Sequence, residues 1–297
     1  MKTCSVSNTI RADSALGGLP ERGALGSGRA VTIFLAHRNC PELLVPAVES
    51  VRAQTFTDWH LVIVDDDSLS FERLVALSRN WSDVRITCLR ASRNVGQFRI
   101  YNRLLPQVAS PFLMLHDADD VSYPERLETS LRALERLRVE MVGSAVARVG
   151  SSAEELGAVY PPEDVNRALR FRRKGGIIIG PTLVLRTEFV RSLNGFDGAT
   201  FIGGDTEFVC RAVFAGRVTN LRQVLYRQTV RQNSLTCDPS TGFGSRARRD
   251  YSRYIARRFY GNLARKWAGQ LRNRHLLARP NNLAFTLQRA DGGRWPG

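Results

Sequence analysis

Short apolar runs alternate with helix-like segments through the first half of this chain. Residues 31–36, 60–64, 84–89 and the run that begins at Phe112 have the length of buried strands. The segments 41–54, 72–79, 94–105 and 127–137 between and after them place apolar residues on one side of a helix. Strands that are apolar throughout are covered on both faces. The pattern therefore predicts an α/β fold, Rossmann-like, with a mostly parallel central sheet and helices on both faces.

The second half of the chain is less regular. Ser122 and Glu125 have the spacing of a capping box, with a proline between them at the first helical position. We expect the helix of the 127–137 stripe to begin there. The further expected elements are a strand at 141–149, loop with some helix at 150–170, a strand-like run at 177–185 broken by Gly180 and Pro181, a short helix capped by Thr187, a helix at 205–216 and a strand at 218–226.

Composition indicates one large folded domain with additions at both ends. The chain has 297 residues, of which 43% are hydrophobic, and no apolar run reaches the roughly 20 residues of a membrane span. Five scattered cysteines without a CxxC pair favour reduced thiols in the cytoplasm over a zinc site or disulfides. We expect a flexible leader rich in glycine, alanine and serine at 1–29, a folded domain at 30–236 and a basic helical extension at 237–297, without a secretory signal.

Positive charge is concentrated near the C-terminus. The net charge is +15, and the segment from Arg246 to Arg279 contains eleven basic residues and one acidic residue. Such a block is typical of proteins with a polyanionic partner, either a phosphate-rich membrane or nucleic acid. Apolar residues recur every fourth position within it, at Ile255, Phe259, Leu263, Trp267 and Leu271. One hypothesis is that this stripe lies on an anionic membrane through 246–279, and the alternative is that it packs against the domain.

Carboxylates follow two of the predicted strands directly. Asp65, Asp66 and Asp67 end the second strand, and Asp117, Asp119 and Asp120 end the fourth. Since ligands bind beyond the carboxyl ends of the strands in an open parallel sheet, both groups belong at one edge. Crowded carboxylates call for a hard divalent cation, which can also hold a phosphate. A solvated acidic turn after a strand is one alternative, but the recurrence of acids after two separate strands favours a nucleotide–metal site. A receiver-type phosphorylation pocket is a second alternative, which would need a later lysine at a strand end, and this lysine-poor chain offers no candidate.

Five motifs in one order resemble a known family. They are VTIFLAHRN at 31–39, ESVRAQTF at 49–56, VIVDDDS at 62–68, NVG at 94–96 and DADD at 117–120. This series is similar to that of the inverting glycosyltransferases of family 2, which have the GT-A fold. The resemblance extends over about two-thirds of the chain, from Val31 to Tyr226. The resemblance implies that the 30–236 domain is a GT-A glycosyltransferase domain.

The resemblance implies roles for the strand-end acids. Asp66 matches the carboxylate that accepts a hydrogen bond from the uracil ring. Asp117 and Asp119 match the DxD element, where Mg²⁺ or Mn²⁺ meets the sugar diphosphate, with Asp119 as the first candidate ligand. Asp120 is expected to orient the neighbouring chain. Asp205 matches the catalytic base, although an acid in a first helical turn can also serve only to stabilise the helix dipole.

Further donor contacts follow from the same comparison. Ala36 and Arg38 lie in the first motif, and Arg231, with Arg227 and Ser234, matches a region that often closes over the diphosphate in similar enzymes. The chain departs from the family pattern at three positions. Arg38 replaces the usual aromatic residue, Gly204 stands where glutamate is frequent, and Tyr101 stands where arginine is common. The guanidinium of Arg38 could still stack on a nucleobase.

The resemblance predicts a nucleotide-sugar donor, with UDP as the nucleotide, and a glycan or lipid-linked acceptor. It places the enzyme in the cytoplasm, at the inner face of the cell membrane, without a nucleic-acid partner. One alternative is a sugar nucleotidyltransferase, which would carry a glycine-rich basic loop after the first strand that residues 36–41 do not form. The other is a non-catalytic protein that binds membrane or nucleic acid through its basic tail.

Overall fold

The computed structural model describes residues 25–170, 177–232, 234–279 and 283–290. Within these residues the chain forms one ten-stranded sheet and eight α-helices. The strands are β1 (Val31–His37), β2 (Trp59–Asp65), β3 (Ile86–Ala91), β4 (Phe112–Asp117), β5 (Val121–Ser122), β6 (Met141–Gly150), β7 (Glu155–Val159), β8 (Val184–Arg186), β9 (Val218–Val230) and β10 (Leu287–Arg289). The helices are α1 (Pro41–Arg52), α2 (Phe71–Trp81), α3 (Gln97–Leu104), α4 (Arg126–Leu137), α5 (Val165–Arg170), α6 (Thr187–Ser192), α7 (Gly204–Ala215) and α8 (Arg246–Trp267).

The sheet runs in the order β10-β3-β2-β1-β4-β8-β6-β9-β5, with β7 paired to β6. Strands β3, β2, β1 and β4 are parallel neighbours, and β6 pairs in parallel with β9. Strands β5, β7, β8 and β10 run antiparallel to their partners. The α/β class with a mostly parallel centre is therefore confirmed. Strand β8 lies between β4 and β6 and runs antiparallel to both.

Hydrophobic clusters cover both faces of the sheet. On one face, Ile33 and Leu35 of β1 pack with apolar residues of α1, α2 and α4. On the other face, Phe34 packs with residues of α3, α6, α7 and α8. Neighbouring residues of a strand point to opposite faces, which explains why β1 carries consecutive apolar residues at 33–36 rather than alternate ones.

Several details of the second half differ from the expected elements. The Ser122–Glu125 capping box is wrong: Ser122 lies in β5, and α4 begins at Arg126 without a side-chain cap. The predicted Thr187 cap is also wrong, because Thr187 lies inside α6 and its hydroxyl donates to the Ser110 carbonyl. Residues 177–185 do not form one strand, since a 3₁₀ turn at Gly180–Thr182 precedes the short strand β8. Strands β5, β7 and β10 were not expected.

Order at the N-terminal side begins earlier than the expected leader boundary. Leu25 is 1% exposed and forms an isolated bridge with Val108. Its backbone N–H donates to the Gln107 carbonyl at 2.9 Å. The last residues of the 1–29 segment are therefore part of the fold, and residues 1–24 lie outside the described part of the chain.

The C-terminal residues pack onto the domain. Tyr251, Ile255, Phe259 and Leu263 of α8 are each less than a tenth exposed, and Phe259 and Leu263 belong to the cluster beneath α7. Farther on, β10 extends the sheet beside β3. Most of the apolar stripe with four-residue spacing therefore faces the protein, as expected if the helix packs against the domain. This face of α8 is not available to a membrane. No helix in the described ranges is both long enough and apolar enough to cross a bilayer.

A buried ionic network fixes α8 to α7. Glu207, which is 1% exposed, accepts from Arg211 Nε with both oxygens at 2.9 Å and from Arg258 Nη1 at 2.7 Å. Arg211 also donates to the carbonyls of Leu193 and Gly195. Glu207 is therefore a structural residue that joins two helices and the loop before α7.

Replacing Glu207 with alanine should destabilise the protein strongly. The change leaves two arginines facing each other without a counter-charge, and breaking a buried ion pair on one side costs about 3–5 kcal/mol. Asp250→Ala removes an acid that pairs only with exposed arginines on the same helix, where a pair is worth about 0–1 kcal/mol. Urea unfolding should show a much lower midpoint for Glu207→Ala than for Asp250→Ala. Equal midpoints would refute the role of the network.

Candidate active site

The carboxyl ends of β1, β2 and β4 meet at one edge of the sheet. In the parallel register, Ala36 lies opposite both Val64 and Asp117, and His37 lies opposite Asp65. The chain after β2 stays beside β1, because the Asp66 N–H donates to the His37 carbonyl at 2.8 Å. The two acidic segments that the sequence singled out therefore lie next to each other.

Asp117, Asp119 and Asp120 form a compact acidic cluster. Each offers one carboxylate oxygen within 4.8 Å of the others. Burial raises the pKa of Asp117 to about 7, and the negative charges of Asp119 and Asp205 add to this effect. Burial, together with Asp117 and Asp119, also raises the pKa of Asp120 well above its ordinary value. Such a site gains stability from any added positive charge.

Arg231 supplies one positive charge to this cluster. Its Nε and Nη2 atoms lie 2.8 and 2.5 Å from Oδ2 of Asp119. Two residues earlier, the Thr229 N–H donates to Asp120 at 2.8 Å. Asp120 is 2% exposed, so it holds the end of β9 against the acidic loop. Arg231, which the family resemblance indicated as a donor contact, thus contacts the first candidate metal ligand. Arg227 is exposed, and Ser234 Oγ donates to the Arg231 carbonyl.

A buried arginine binds the backbone beside the acidic loop. Arg126 is fully buried and donates to Ser122 Oγ at 2.9 Å, to the Leu115 carbonyl at 2.9 Å and to the Pro181 carbonyl at 2.6 Å. Burial lowers its pKa to about 10, and it remains a cation at neutral pH. Arg126 therefore links the end of β4 to the 3₁₀ turn. The sequence carries no sign of this role, because an arginine at a helix start is usually exposed.

Tyr226 completes this support. Its ring lies 4.7 Å from the Arg126 guanidinium carbon. Its hydroxyl accepts from the Asp117 N–H at 3.0 Å and bonds to the side chain of Asp120. Tyr226 comes from β9, more than a hundred residues after the acidic loop, so sequence spacing could not indicate the contact. Together Arg126 and Tyr226 fix the backbone that carries the acids.

Asp66 lies in a cradle of backbone donors. Its two oxygens accept from the N–H groups of Val95 and Gly96, each at 2.7 Å. Burial raises its pKa, while these hydrogen bonds and the charge of Arg38 oppose the rise. Gly96 has φ +87°, and a Cβ there would lie 2.8 Å from the Phe201 ring, so glycine is required. Each carboxylate oxygen keeps a further lone pair for a ligand.

The neighbours of Asp66 have other contacts. Asp65 is fully buried, accepts from the Ser68 N–H at 2.9 Å and lies 3.3 Å from His37 Nε2. Asp67 pairs with Arg90 at 3.4 Å. Asp66 is therefore the member of this triplet whose carboxylate faces the loop at residues 94–96.

Asp205 lies in the first turn of α7, beside the 3₁₀ turn. Its Oδ2 would lie 2.2 Å from a Cβ added to Gly180. The two segments can therefore pack this closely because residue 180 is a glycine and has no side chain. Burial raises the pKa of Asp205, against the hydrogen bonds of the helix start and the charge of Arg248. The adjoining Pro181 carbonyl binds Arg126, which connects Asp205 to the acidic cluster through two contacts.

The departures from the family pattern have different structural settings. Arg38 is exposed at the end of β1, close enough to Asp66 to affect its pKa. Tyr101 is 2% exposed and stacks on Phe34 at 5.2 Å, so this position belongs to the core. Gly204 is packed so closely that a Cβ would lie 2.6 Å from the Phe98 ring, which excludes glutamate there.

The fold and the acidic edge define a GT-A type of nucleotide-dependent enzyme. The chain belongs to glycosyl transferase family 2, whose sequence profile, described as "Glycosyl transferase family 2", matches residues 32–193. It is a glycosyltransferase, which disfavours the sugar nucleotidyltransferase alternative.

Relatives and solved structures agree with this assignment. EpsE of Bacillus subtilis (strain 168) is 27% identical over 218 residues, which cover 71% of this chain and 76% of EpsE. WfgD of Escherichia coli, a UDP-Glc:alpha-D-GlcNAc-diphosphoundecaprenol beta-1,3-glucosyltransferase, is 29% identical over 101 residues, or 34% of this chain and 39% of WfgD. The crystal structure of S. aureus TarS 1-349 in complex with UDP-GlcNAc has a TM-score of 0.56 at 17% identity, covering 69% of this chain and 59% of TarS 1-349.

Removing the charge of Arg231 should make the protein more responsive to divalent cations. In Arg231→Met, Asp119 loses its ion-pair partner beside two further carboxylates, so the melting temperature in EDTA should fall by roughly 2–4 °C for each kcal/mol lost. Added Mn²⁺ should then raise it more than in the wild-type protein. Arg227→Met changes an exposed arginine of β9, the strand that Arg231 directly follows, and is the matched control. The same Mn²⁺ response in both variants would contradict the cluster as a cation site.

Proposed function

We propose that the protein transfers a sugar from a UDP-sugar to a hydroxyl group of a polysaccharide, glycolipid or other glycoconjugate, with inversion of the anomeric centre. The observation that carries this proposal is that acids from three segments of the chain meet at one edge. Asp66 lies beside β1, because its N–H donates to the His37 carbonyl. Arg126 and the 3₁₀ turn link the Asp117–Asp119 pair to Asp205. A nucleotide, a diphosphate and an acceptor each need one of these groups.

The nucleotide end of the donor is assigned to the first two strand ends. A carboxylate only accepts hydrogen bonds, and the uracil imide N–H only donates, so Asp66 suits uracil. The backbone at Ala36 lies in the neighbouring strand, where Arg38 can place its planar guanidinium over the base. The two backbone bonds from Val95 and Gly96 keep Asp66 in position before the ligand arrives.

The diphosphate end is assigned to the acidic cluster. The oxygen set of Asp119 and Asp117 fits Mg²⁺ or Mn²⁺, which prefer carboxylate ligands. Such a cation stabilises the negative charge that develops on the leaving diphosphate. Arg231 can move its guanidinium from Asp119 to a phosphate oxygen, because both are anionic acceptors for the same donor pair. Asp120 stays bonded to Thr229 and keeps the loop in place.

Asp205 is assigned as the general base. A sugar hydroxyl is a poor nucleophile until a carboxylate removes its proton as the new bond forms. The raised pKa of Asp205 makes its carboxylate a stronger proton acceptor than an exposed aspartate. A single attack on the face opposite the diphosphate inverts the anomeric carbon. Glu207, two residues later, is excluded from this role by its two arginine partners.

The acceptor is proposed to be an envelope glycan, presented on a lipid carrier. WfgD acts on a sugar linked to diphosphoundecaprenol, by its name, and TarS was solved with UDP-GlcNAc. An enzyme with such an acceptor would work in the cytoplasm at the inner face of the cell membrane, where the carrier lipid is accessible.

Nucleotide binding should depend on Asp119 but not on Asp205. A thermal-shift panel of nucleoside diphosphates with and without Mn²⁺ should show a Mn²⁺-dependent rise with UDP. The rise should disappear in Asp119→Ala, which loses the proposed cation ligand, and persist in Asp205→Ala, which loses only the proposed base. The wild-type response to GDP and ADP serves as the control for the uracil contact. Equal thermal shifts in both variants, or no thermal shift with any nucleotide, would contradict the roles assigned to Asp119 and Asp205.

Gly180→Ala should impair transfer while sparing nucleotide binding. The new methyl group would overlap Oδ2 of Asp205 and displace the proposed base, so kcat should fall by at least about tenfold, since a general base contributes about 10²–10⁴-fold. Gly244→Ala is the matched control, because a Cβ there meets nothing within 4 Å. UDP release would be measured with whichever nucleotide sugar supports turnover. Unchanged kcat in Gly180→Ala would speak against Asp205 as the base.

A further inference from the structure

The outward side of α8 carries a second stripe, opposite to the one that packs on the domain. Its residues recur every three or four positions along the helix and are all exposed. Four arginines come first, and two aromatic residues with an alanine between them follow. We call this the outer stripe: Arg246, Arg249, Arg253, Arg257, Tyr260, Ala264 and Trp267.

The protein itself leaves most of the positive charge of the outer stripe without a counter-charge. Asp250 is the acidic residue of α8, and it pairs with Arg246 and Arg253. Arg249 donates to the Gly244 carbonyl, which is not an anion. Arg257 has no hydrogen bond or ion pair in the described part of the chain. The exposed side of α8 therefore carries four arginines and one aspartate, which indicates a partner whose negative charge is distributed over a surface.

The aromatic end of the outer stripe favours a membrane over a nucleic acid. Trp267 is 78% exposed and Tyr260 is 41% exposed, although both are large enough to contribute to a core. Tryptophan and tyrosine are enriched where a protein meets the headgroup region, because one part of each ring system is apolar and another is polar. Tyr251, Ile255, Phe259 and Leu263 fix α8 to the domain, so the outer stripe lies on a docked helix about 33 Å long.

We propose that the outer stripe docks on an anionic phospholipid bilayer, with its arginines on lipid phosphates and Trp267 in the headgroup layer. This inference rests on the proposed function, in which the acceptor is lipid-linked, and it names the partner that brings the acceptor near. The same helix begins close to the active site: the charge of Arg248 acts on Asp205, and its Nε donates to the Thr241 carbonyl at 3.0 Å. Docking through α8 therefore brings the base close to the membrane surface.

The direct test is co-sedimentation of the full chain with lipid vesicles. One set contains phosphatidylcholine alone, and the other contains phosphatidylcholine mixed with phosphatidylglycerol, each at low and high salt. The triple variant Arg249→Gln, Arg253→Gln, Arg257→Gln should bind the anionic vesicles about 10- to 100-fold more weakly than the wild-type protein. The control is the triple variant Arg79→Gln, Arg132→Gln, Arg136→Gln, which removes the same charge from exposed positions of α2 and α4. Arg132 pairs with Glu128, as Arg253 pairs with Asp250, so the two variants are matched in this respect as well. The control variant should bind the anionic vesicles as the wild-type protein does.

Trp267 provides a second readout that does not depend on charge. Its fluorescence should shift to shorter wavelength when anionic vesicles are added, and the shift should be absent in Trp267→Phe. Equal binding of both triple variants, binding to phosphatidylcholine alone, or capture of single-stranded RNA by the outer stripe without vesicle binding would overturn the proposal. The Mn²⁺-dependent thermal shift with UDP separates the two proposals. If the shift persists while vesicle binding is absent, only the docking proposal fails. If the shift is absent while vesicle binding persists, the proposed function fails.

Discussion

The site depends on the crowding of carboxylates at the end of a buried strand. Asp117, Asp119 and Asp120 lie too close together to be stable as anions without positive charge nearby. The protein supplies part of that charge through Arg231 on Asp119 and Arg126 beneath the loop. A divalent cation would supply the remainder. The repulsion among these carboxylates therefore favours the binding of such a cation.

The C-terminal residues pack against the helix that carries the proposed base. Helix α8 contacts α7 through Arg258 and Glu207, and its first turn places Arg248 near Asp205. A second contact, from Arg279 and Tyr251 to the buried Asp197, secures the loop before α7. Because the position of Asp205 rests on these contacts, a change in α8 can alter the active site from a distance.

The parts of the fold that depend on local pattern could be predicted from the sequence. Each central strand carries its own apolar run, and Asp66 and Asp117 follow such runs directly, so parallel pairing was enough to bring them to one edge. Contacts between distant segments could not be predicted. Tyr226 reaches Asp117 from β9, and Arg126 is buried although its neighbours in sequence give no sign of it. Periodicity identified an apolar stripe on α8 but could not tell whether it faced the protein or a membrane.

The edge formed by β1, β2 and β4 is proposed to hold a cation and a nucleoside diphosphate between Asp66 and Asp119. The anomalous scattering of Mn²⁺ in crystals grown with UDP tests this directly. We expect one strong peak within coordination distance of Asp119, with the uracil ring at Asp66 and Arg231 turned from Asp119 toward a phosphate. A peak away from the acidic cluster, or UDP bound at another surface, would contradict it.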